Sequence, residues 1–206
     1  MGVTEDHYFS ARPASADERR EIIVDLAGRS WTLETAPGVF SPGHVDLGTT
    51  VLLKEVPTPP PGPLLDLGCG WGPIALTAAL LQPDAPVTAV DVNERALDLL
   101  RRNVERIARQ TAIAPVTVAT PDEVSPDATF QTVWSNPPIR IGKQALHGLL
   151  SAWIPRLVPG GEAWLVVQKN LGADSLASWM ADQGWGAVEK MSSSKGFRVL
   201  RVTRGR

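Results

Sequence analysis

Two acidic residues and three glycines are spaced along this chain in a way that suits the binding of a nucleoside cofactor. Asp66 lies near the end of a short apolar run, and Gly68, Gly70 and Gly72 follow it at every second position. Glycine accepts positive φ angles and lets a ligand approach the backbone without a Cβ in the way. Asp91 ends a second apolar run about twenty residues later, the spacing at which an acid meets a ribose in a doubly wound sheet.

The order of these residues separates two classes of cofactor. A dinucleotide fingerprint, Gly-x-Gly-x-x-Gly, binds pyrophosphate at a helix N-terminus, whereas here the third glycine comes one position early. The carboxylate of Asp66 would repel a phosphate but suits a ligand with an amino group and a positive sulfur. The pattern therefore predicts S-adenosyl-L-methionine as the cofactor and S-adenosyl-L-homocysteine as its product. The alternative, a glycine turn without a ligand, is disfavoured by the presence of both Asp66 and Asp91.

The stretch Asn136-Pro137-Pro138 follows a fourth apolar run and has the groups that methyl transfer to an amine needs. The lone pair of an amide-like or aryl amine is delocalised, and two acceptors on its N–H bonds would turn it toward a sulfonium methyl. The Asn136 side-chain oxygen and the Pro137 backbone carbonyl are such acceptors, and the prolines hold them in place beforehand. The rest is alignment of the reactants, with no acid, base or metal. The alternative is a simple turn.

Other residue types that carry out catalysis are present but poorly placed. Cys69, the single cysteine, lies inside the cofactor loop, so we expect it to pack rather than to attack a pyrimidine as a nucleophile. His7, His44 and His147 are far apart and lack the spacing of metal ligands. No metal site is predicted.

The elements that must position these residues alternate between strand and helix from residue 64 onward. The predicted strands are Leu64–Leu67, Pro86–Val92, Pro115–Thr120, Phe130–Ser135, Glu162–Gln168, Gly186–Met191 and Phe197–Thr203. The predicted helices are Pro73–Leu81, a helix capped by Asn93 and buried along Leu97, Leu100, Val104 and Ile107, then Gln144–Leu157 and Ser175–Gln183. This alternation indicates an α/β fold whose parallel sheet is covered on both faces, with a final hairpin that adds an antiparallel strand.

The region before residue 56 has a different pattern. The short runs Glu21–Leu26 and Ser30–Thr35 predict a β-hairpin, and Thr49–Glu55 has a helical pattern before a proline-rich connector. A segment this short, with so little apolar content, does not fold alone. We therefore expect residues 1–55 to cap a main domain of residues 56–206.

Size, charge and composition limit the class of protein. The chain has 206 residues, 43% of them hydrophobic, which suits one globular domain with a small extension. Its formal net charge of −2 gives no global basic field, so any RNA contact must come from a local patch. No apolar stretch is long enough to cross a membrane, and the polar segment Met1–Asp6 is unlike a secretory signal. We expect a cytoplasmic protein.

With these motifs, the chain resembles class I S-adenosylmethionine-dependent methyltransferases, and within them the methyltransferase small-domain family, related to ribosomal RNA guanine-N2 methyltransferases of the small subunit. The stretches that carry the resemblance are His7–Ser10, Pro37–Ser41, Asp46–Thr49, Asp66–Gly72, Val90–Asn93, Asn136–Lys143 and Gly196–Leu200. The resemblance implies a Rossmann-like, seven-stranded, mostly parallel sheet of order 3-2-1-4-5-7-6, with helices on both faces and an N-terminal β-hairpin cap.

The resemblance also implies roles for individual residues. The cofactor would meet Asp66, Gly68 and Gly70 at its methionine end, Asp91 and Val92 at its ribose, Asp122 near its adenine, and Thr49 from the cap. Asn136 and Pro137 would be the catalytic pair that orients the target amine. The substrate would contact Phe40, Pro138, Ile139, Arg140 and Lys143. Many relatives have an aromatic residue after Asn-Pro-Pro, where this chain has Ile139.

Three functions remain open from the sequence. The first is methylation of an exocyclic amine, guanine N2 of ribosomal RNA, free or in a ribosomal particle. It would use a phosphate-facing rim of Arg140, Lys143, Lys169, Lys195 and Arg198. The second is methylation of a protein glutamine or a small-molecule amine, which Ile139 and the mild acidity allow. The third is a non-catalytic binding module of the cofactor fold, which the intact Asp66, Asp91 and Asn136 disfavour.

Overall fold

The structure is a computed structural model that describes residues 11, 13 and 18–205. Its strands are β1 (Arg20–Leu26), β2 (Arg29–Thr35), β3 (Leu64–Leu67), β4 (Val87–Val90), β5 (Val116–Ala119), β6 (Phe130–Ser135), β7 (Leu157–Gln168), β8 (Gly186–Ser194) and β9 (Phe197–Arg204). Its α-helices are α1 (Leu47–Glu55), α2 (Pro73–Leu81), α3 (Glu94–Ala108), α4 (Lys143–Trp153) and α5 (Ala173–Asp182). The stretch His7–Ser10, which contributes to the resemblance above, lies outside the described residues.

Strands β3 to β9 form one mixed sheet in the order β5-β4-β3-β6-β7-β9-β8. Strands β3 to β7 are parallel to one another, and β9 is antiparallel to both of its neighbours. Counted from the first strand of the sheet, the order is 3-2-1-4-5-7-6, so the predicted strand order and fold class are confirmed. Because parallel strands end at the same edge of a sheet, the residues that follow β3, β4, β6 and β7 come together there.

A hydrophobic core lies on each face of this sheet. Successive residues of a strand point to opposite faces, and Leu64 joins a buried cluster with α2, α3 and the β1–β2 hairpin. Leu65 joins a second cluster with α4 and α5. All four residues of β3 are buried, which explains why this strand reads as an apolar run interrupted by one charge, Asp66.

The β1–β2 hairpin is a two-stranded sheet of its own and is bonded to α3. The buried Asn103 side chain on α3 accepts a hydrogen bond from Glu34 N at 2.7 Å and donates one to Glu34 O at 3.0 Å. It also donates to Trp71 O at 3.2 Å, so one side chain joins the hairpin, α3 and the glycine loop. The predicted hairpin is confirmed, while the domain boundary at residue 55 stays a prediction.

The turn between α4 and β7 differs from the sequence-based prediction. The helix ends at Trp153 rather than at Leu157, because Pro155 has no N–H to donate and its ring crowds the preceding turn. Strand β7 starts at Leu157 rather than at Glu162. Its first residue pairs with Phe130, and the register then shifts across the glycine-containing turn.

The last hairpin is tighter than predicted. Strand β8 extends past Met191 to Ser194, because Lys195 and Gly196 make the whole turn with φ angles of 49° and 81°. Two successive positive φ angles match the right-handed twist of the flanking strands. The short turn places Phe197 opposite Gln168, at the edge where the parallel strands end.

Candidate active site

A cavity of about 420 Å³ opens at the edge of the sheet where β3, β4, β6 and β7 end. It is lined by Phe40, Asp46, Leu67, Gly68, Gly70, Val90, Asp91, Val92, Ala96, Pro121, Asn136, Pro137, Pro138, Ile139, Arg140, Leu149, Gln168, Leu171 and Phe197. A smaller cavity of about 20 Å³ shares Phe40, Asp46, Gly68, Gly70 and Asn136, and it is also lined by Thr49 and Cys69. Because they share these walls, we treat the two cavities as one candidate site.

The loop between β3 and α2 has the backbone that a closely bound ligand needs. Gly68 and Gly70 have φ angles of 80° and 54°, which residues with a Cβ adopt rarely. A Cβ added at Gly68 would have Pro138 Cδ as its nearest neighbour at 3.9 Å, and one added at Gly70 would meet no described atom within 4 Å. The protein therefore leaves open space beside both glycines, and both line the cavity.

Asp91 is hydrogen-bonded to this loop from the end of β4. Its Oδ2 accepts from Gly70 N at 2.8 Å and its Oδ1 accepts from Asn93 N at 2.9 Å. Burial raises the pKa of Asp91 above its usual value, and backbone hydrogen bonds, first that from Asn93, oppose the shift. A carboxylate oxygen accepts more than one hydrogen bond, so Asp91 keeps acceptor capacity toward the cavity for the hydroxyls of a ribose.

Asp66 lies beneath the loop rather than in the cavity wall. It is fully buried, and its Oδ2 accepts from Ala75 N at 2.8 Å, in the first turn of α2. Its Oδ1 is buried with no hydrogen-bond partner among the described residues. Burial raises the pKa of Asp66 to about 8, with a smaller contribution from the nearby Asp91 and an opposing one from Ala75 N. Asp66 thus joins β3 to α2 on either side of the glycine loop.

Asn136 is held by two residues of the N-terminal region. Its Nδ2 donates to Asp46 Oδ2 at 2.9 Å and to Thr49 Oγ1 at 3.0 Å. An amide nitrogen has two hydrogens to donate, so both are used and the Oδ1 oxygen is the end left for a ligand. Beside it, the Pro137 carbonyl accepts from Ile139 N at 2.8 Å and keeps a second lone pair. Asn136 and Pro137 therefore present two acceptors at the large cavity.

The remaining residues predicted for the site divide into three groups. Phe40, Val92, Pro138, Ile139 and Arg140 line the large cavity. Thr49 lines the small one and bonds Asn136 instead of facing the large cavity. Asp122 and Lys143 are exposed and line neither cavity, although Pro121, next to Asp122, does.

Among the lining residues that were missing from the predicted site, Asp46 and Gln168 have polar side chains and Phe197 an aromatic one. Asp46 was recognisable as a helix N-cap, since its Oδ2 accepts from Gly48 N and Thr49 N at the start of α1. Gln168 ends β7, at the edge where ligands of such sheets bind. Phe197 lies so close to α1 that a Cβ on Gly48 would be 2.8 Å from its ring.

Cys69, the alternative nucleophile, and His147, one of the histidines considered as metal ligands, were also located in the structure. Cys69 is buried, and burial, together with Asp91 and Asp66, raises the pKa of its thiol. His147 stacks on Trp179 with ring centroids 3.6 Å apart, and its pKa is lowered by burial and by Lys143. Within residues 11, 13 and 18–205, no group of three or more His, Cys, Asp or Glu side chains could hold a metal ion. No described helix is both long and apolar enough to cross a membrane.

Comparison with known proteins shows the family to which the chain belongs. A sequence model of the methyltransferase small domain matches residues 30–201. The chain belongs to this family. The predicted enzyme class, an S-adenosylmethionine-dependent methyltransferase, and the predicted cofactor are thereby confirmed at the level of the family.

The chain is similar to a protein of about its own length and to longer proteins. It is 32% identical over 201 residues to the uncharacterized protein YbxB of Bacillus subtilis (strain 168), covering 96% of this chain and 98% of that protein. It is 32% identical over 210 residues to ribosomal RNA small subunit methyltransferase C of Pseudomonas entomophila (strain L48), covering 98% of this chain and 60% of that protein. The chain thus spans about 60% of the length of that relative.

A solved structure has a similar fold. It is a 16S rRNA N2 methyltransferase (RsmC) of T. thermophilus in complex with AdoMet and guanosine. The TM-score is 0.77 at 23% sequence identity, and the match covers 94% of this chain and 52% of that one. At this identity the likeness supports the fold of the methyltransferase small domain.

Proposed function

We propose that this methyltransferase transfers a methyl group to an exocyclic amine, guanine N2 of ribosomal RNA. The observation that carries the proposal is the fixed amide of Asn136. Asp46 and Thr49 take both of its N–H groups, which leaves its oxygen as the group free to accept from a ligand in the cavity that Asn136 lines together with the open glycine loop. An oxygen fixed in this way suits a ligand that donates an N–H.

The residues of the site fit S-adenosylmethionine. Gly68 and Gly70 would lie against its methionine end, and Asp91 with Val92 would bind its ribose hydroxyls. Asp66 would support this loop from below through Ala75. When bound, the cofactor supplies a methyl group on a positively charged sulfur.

The chain's own groups would orient the acceptor amine. Asn136 Oδ1 and the Pro137 carbonyl would each accept one N–H of the amine, which turns the nitrogen lone pair out of conjugation and toward the methyl donor. Both acceptors are fixed before substrate binds, so they also stabilise the positive charge that grows on the nitrogen. The remaining contribution is alignment.

Aromatic and aliphatic side chains of the large cavity would hold a planar base. Ile139 has no ring, but Phe40 from the N-terminal region and Phe197 from β9 both line the cavity. Leu149 and Leu171 add apolar surface beside them. We assign Phe40 and Phe197 the stacking role that Ile139 cannot have.

A rim of cations beside the cavity would contact the RNA backbone. Arg140 lines the cavity, Lys143 begins α4, and Lys169 N donates to Gly196 O at 2.9 Å, which brings Lys169 next to Lys195. These four side chains form no ion pair with any carboxylate in the described part of the chain. Arg198, the fifth predicted member, is paired with Asp174. An RNA substrate in a ribosomal particle would place the enzyme in the cytoplasm.

The test is to incubate the protein with labelled S-adenosylmethionine and, separately, small-subunit particles, transcribed small-subunit ribosomal RNA and a protein extract. We expect label in an RNA-containing fraction, in the presence or absence of a chelator. Label confined to protein would contradict the proposal and favour the glutamine alternative that Ile139 allows.

The rim has its own matched control. Replacing Lys169 and Lys195 by Gln should weaken the binding of transcribed ribosomal RNA. It should also reduce the steepness with which the logarithm of the binding constant falls with the logarithm of the salt concentration, by about 0.7–0.9 for each lost phosphate contact. Replacing Arg102 and Arg109 by Gln removes the same charge from α3, where both are paired with carboxylates. An equal loss of binding in both double variants would show that overall charge, and not the rim, attracts RNA.

A further inference from the structure

Asp46 connects the first turn of α1 to Asn136, the residue proposed to contact the acceptor amine. One oxygen, Oδ2, accepts from Gly48 N at 2.7 Å, from Thr49 N at 3.2 Å and from Asn136 Nδ2 at 2.9 Å. Asp46 and Asn136 are 90 residues apart in the chain, and both line the large and the small cavity. The carboxylate therefore has a second role available besides capping the helix.

We infer that Asp46 is a positioning residue for methyl transfer, which orients the Asn136 amide and strengthens its oxygen as an acceptor. The inference rests on the proposed function, since it needs Asn136 to contact the acceptor amine. It assigns the N-terminal region a part in positioning the amide that contacts the substrate.

Asp46 would orient the Asn136 amide through the donor and acceptor chemistry of its carboxylate. An amide can be turned over so that either its oxygen or its NH₂ faces the cavity. A carboxylate accepts hydrogen bonds and cannot donate them, so Asp46 pairs with the NH₂ end and repels the oxygen end. Thr49 Oγ1 occupies the second N–H. The oxygen is thereby directed to the side where an N–H donor would bind.

Asp46 would strengthen Asn136 Oδ1 as an acceptor through its negative charge. Hydrogen bonds in a chain polarise one another, and an N–H that donates to an anion increases the electron density on the oxygen of the same amide. The acceptor nitrogen gains positive charge during methyl transfer. Asp46 would therefore stabilise the transition state more than the ground state, which is the condition for an effect on kcat.

The alternative is that Asp46 only caps α1, and two variants separate these roles. Asn caps helices about as well as Asp, so Asp46→Asn keeps the cap, the shape and the acceptor oxygen but removes the charge. Asp46→Ala removes the cap and the partner of Asn136 together. Asp182→Asn, at the exposed end of α5 and outside both cavities, controls for a lost negative charge.

A spectroscopic test uses the cofactor-free protein. In ¹⁵N-labelled wild type, the side-chain amide of Asn136 should give a pair of resonances that exchange slowly with water, because both hydrogens are bonded. Asp46→Ala should speed this exchange by tenfold or more, while Asp182→Asn leaves it unchanged. Unchanged exchange in Asp46→Ala would show that Asp46 does not hold the amide, and would overturn the inference.

A kinetic double-mutant cycle tests whether Asp46 acts through Asn136. Loss of a charge-assisted hydrogen bond in favour of a neutral one predicts a drop in kcat of about tenfold for Asp46→Asn, measured with transcribed small-subunit ribosomal RNA. In an Asn136→Ala background the same change should have no further effect. Wild-type kcat in Asp46→Asn, or a full tenfold loss in both backgrounds, would contradict the inference and leave the proposed function intact. Wild-type turnover in Asn136→Ala would contradict the proposed role of Asn136 itself.

Discussion

Asp66 and Asp91 have the same side chain and similar sequence contexts, but their surroundings give them different roles. Asp91 lines the cavity and bonds two backbone N–H groups with its two oxygens. Asp66 is fully buried below the loop, with one oxygen bonded and the other without a described partner. A negative charge in such a position is costly, which is why burial raises the pKa of Asp66 to about 8.

This difference predicts how stability depends on pH. The pKa of Asp66 is about 8 in the folded protein and near 3.8 in the unfolded chain, so the folded state binds the extra proton between these values. Binding of this proton therefore stabilises the folded state fully below pH 4, and this stabilisation is lost as the pH rises through 8. Asp66→Asn keeps an acceptor for Ala75 N but cannot titrate. We expect the denaturation midpoint of wild type to fall relative to that of Asp66→Asn between pH 5 and 9.

The control for this measurement is a carboxylate on the surface. Asp98→Asn removes an aspartate from the exposed side of α3, where it pairs with Arg19 and Arg102. Its midpoint should follow wild type across the same pH range. Parallel profiles for wild type and Asp66→Asn would show that Asp66 is ionised when folded.

Residue types indicated the chemistry of this site better than they indicated its contacts. The proposed acceptor role of Asn136 and the loop position of Gly68 and Gly70 follow from local motifs that the structure brings to one cavity. The contact of Asp46 with Asn136 depends on how α1 packs beside the end of β6, and no spacing in the sequence encodes it. The same applies to Phe197, which reaches the cavity through a turn shorter than the one predicted.

At the scale of elements, the backbone turn at the start of α2 determines the conformation of the glycine loop between β3 and α2. Gly72 is its N-cap and has a φ angle of 104°. A Cβ there would overlap Leu100 Cδ1 on α3. The glycine thus allows both the backbone turn and the close approach of α3 to the loop.

Two glycine substitutions should therefore have opposite effects on stability. Gly72→Ala should lower the free energy of unfolding by at least 1–2 kcal/mol, from the left-handed backbone alone, with more lost to the clash with Leu100. Gly148→Ala should raise it by about 0.5–1 kcal/mol, because Gly148 is exposed in the interior of α4 with no described atom within 4 Å of an added Cβ. Chemical denaturation measures both. Equal effects would show that neither the turn nor the packing at Gly72 matters.

Element type and order were predictable because the central strands β3, β4 and β6 are mostly buried apolar runs and most connections contain a glycine or proline. The strand order follows from the resemblance together with the alternation of strands and helices. The boundaries at Pro155 and at Lys195-Gly196 were less predictable. At Pro155 the missing N–H ends the helix although the apolar pattern continues to Leu157. At Lys195-Gly196 a two-residue turn lets β8 continue through three serines, past the end of its apolar pattern.

At the scale of the whole molecule, charge is distributed so that the candidate site differs from the rest of the surface. Arg102 and Arg106 of α3 are neutralised, since Arg102 pairs with Asp98 and Arg106 with Glu21 and Glu34, and Arg109, just after α3, pairs with Glu105. Arg140, Lys143, Lys169 and Lys195 beside the cavity form no ion pair with a carboxylate in the described part of the chain, although Asp174 interacts electrostatically with Lys169 and is paired with Arg198. A chain of net charge −2 can in this way present a local attraction for phosphate.

The fixed acceptors Asn136 Oδ1 and Pro137 O are proposed to select an exocyclic amine. The most direct measurement is the position of the transferred methyl group. Small-subunit ribosomal RNA methylated by the wild-type protein is digested to nucleosides and analysed by mass spectrometry beside synthetic standards. We predict N2-methylguanosine. A methyl group on a ring nitrogen, on carbon or on a ribose oxygen would contradict the claim, because none of those acceptors offers an N–H pair for the two oxygens to hold.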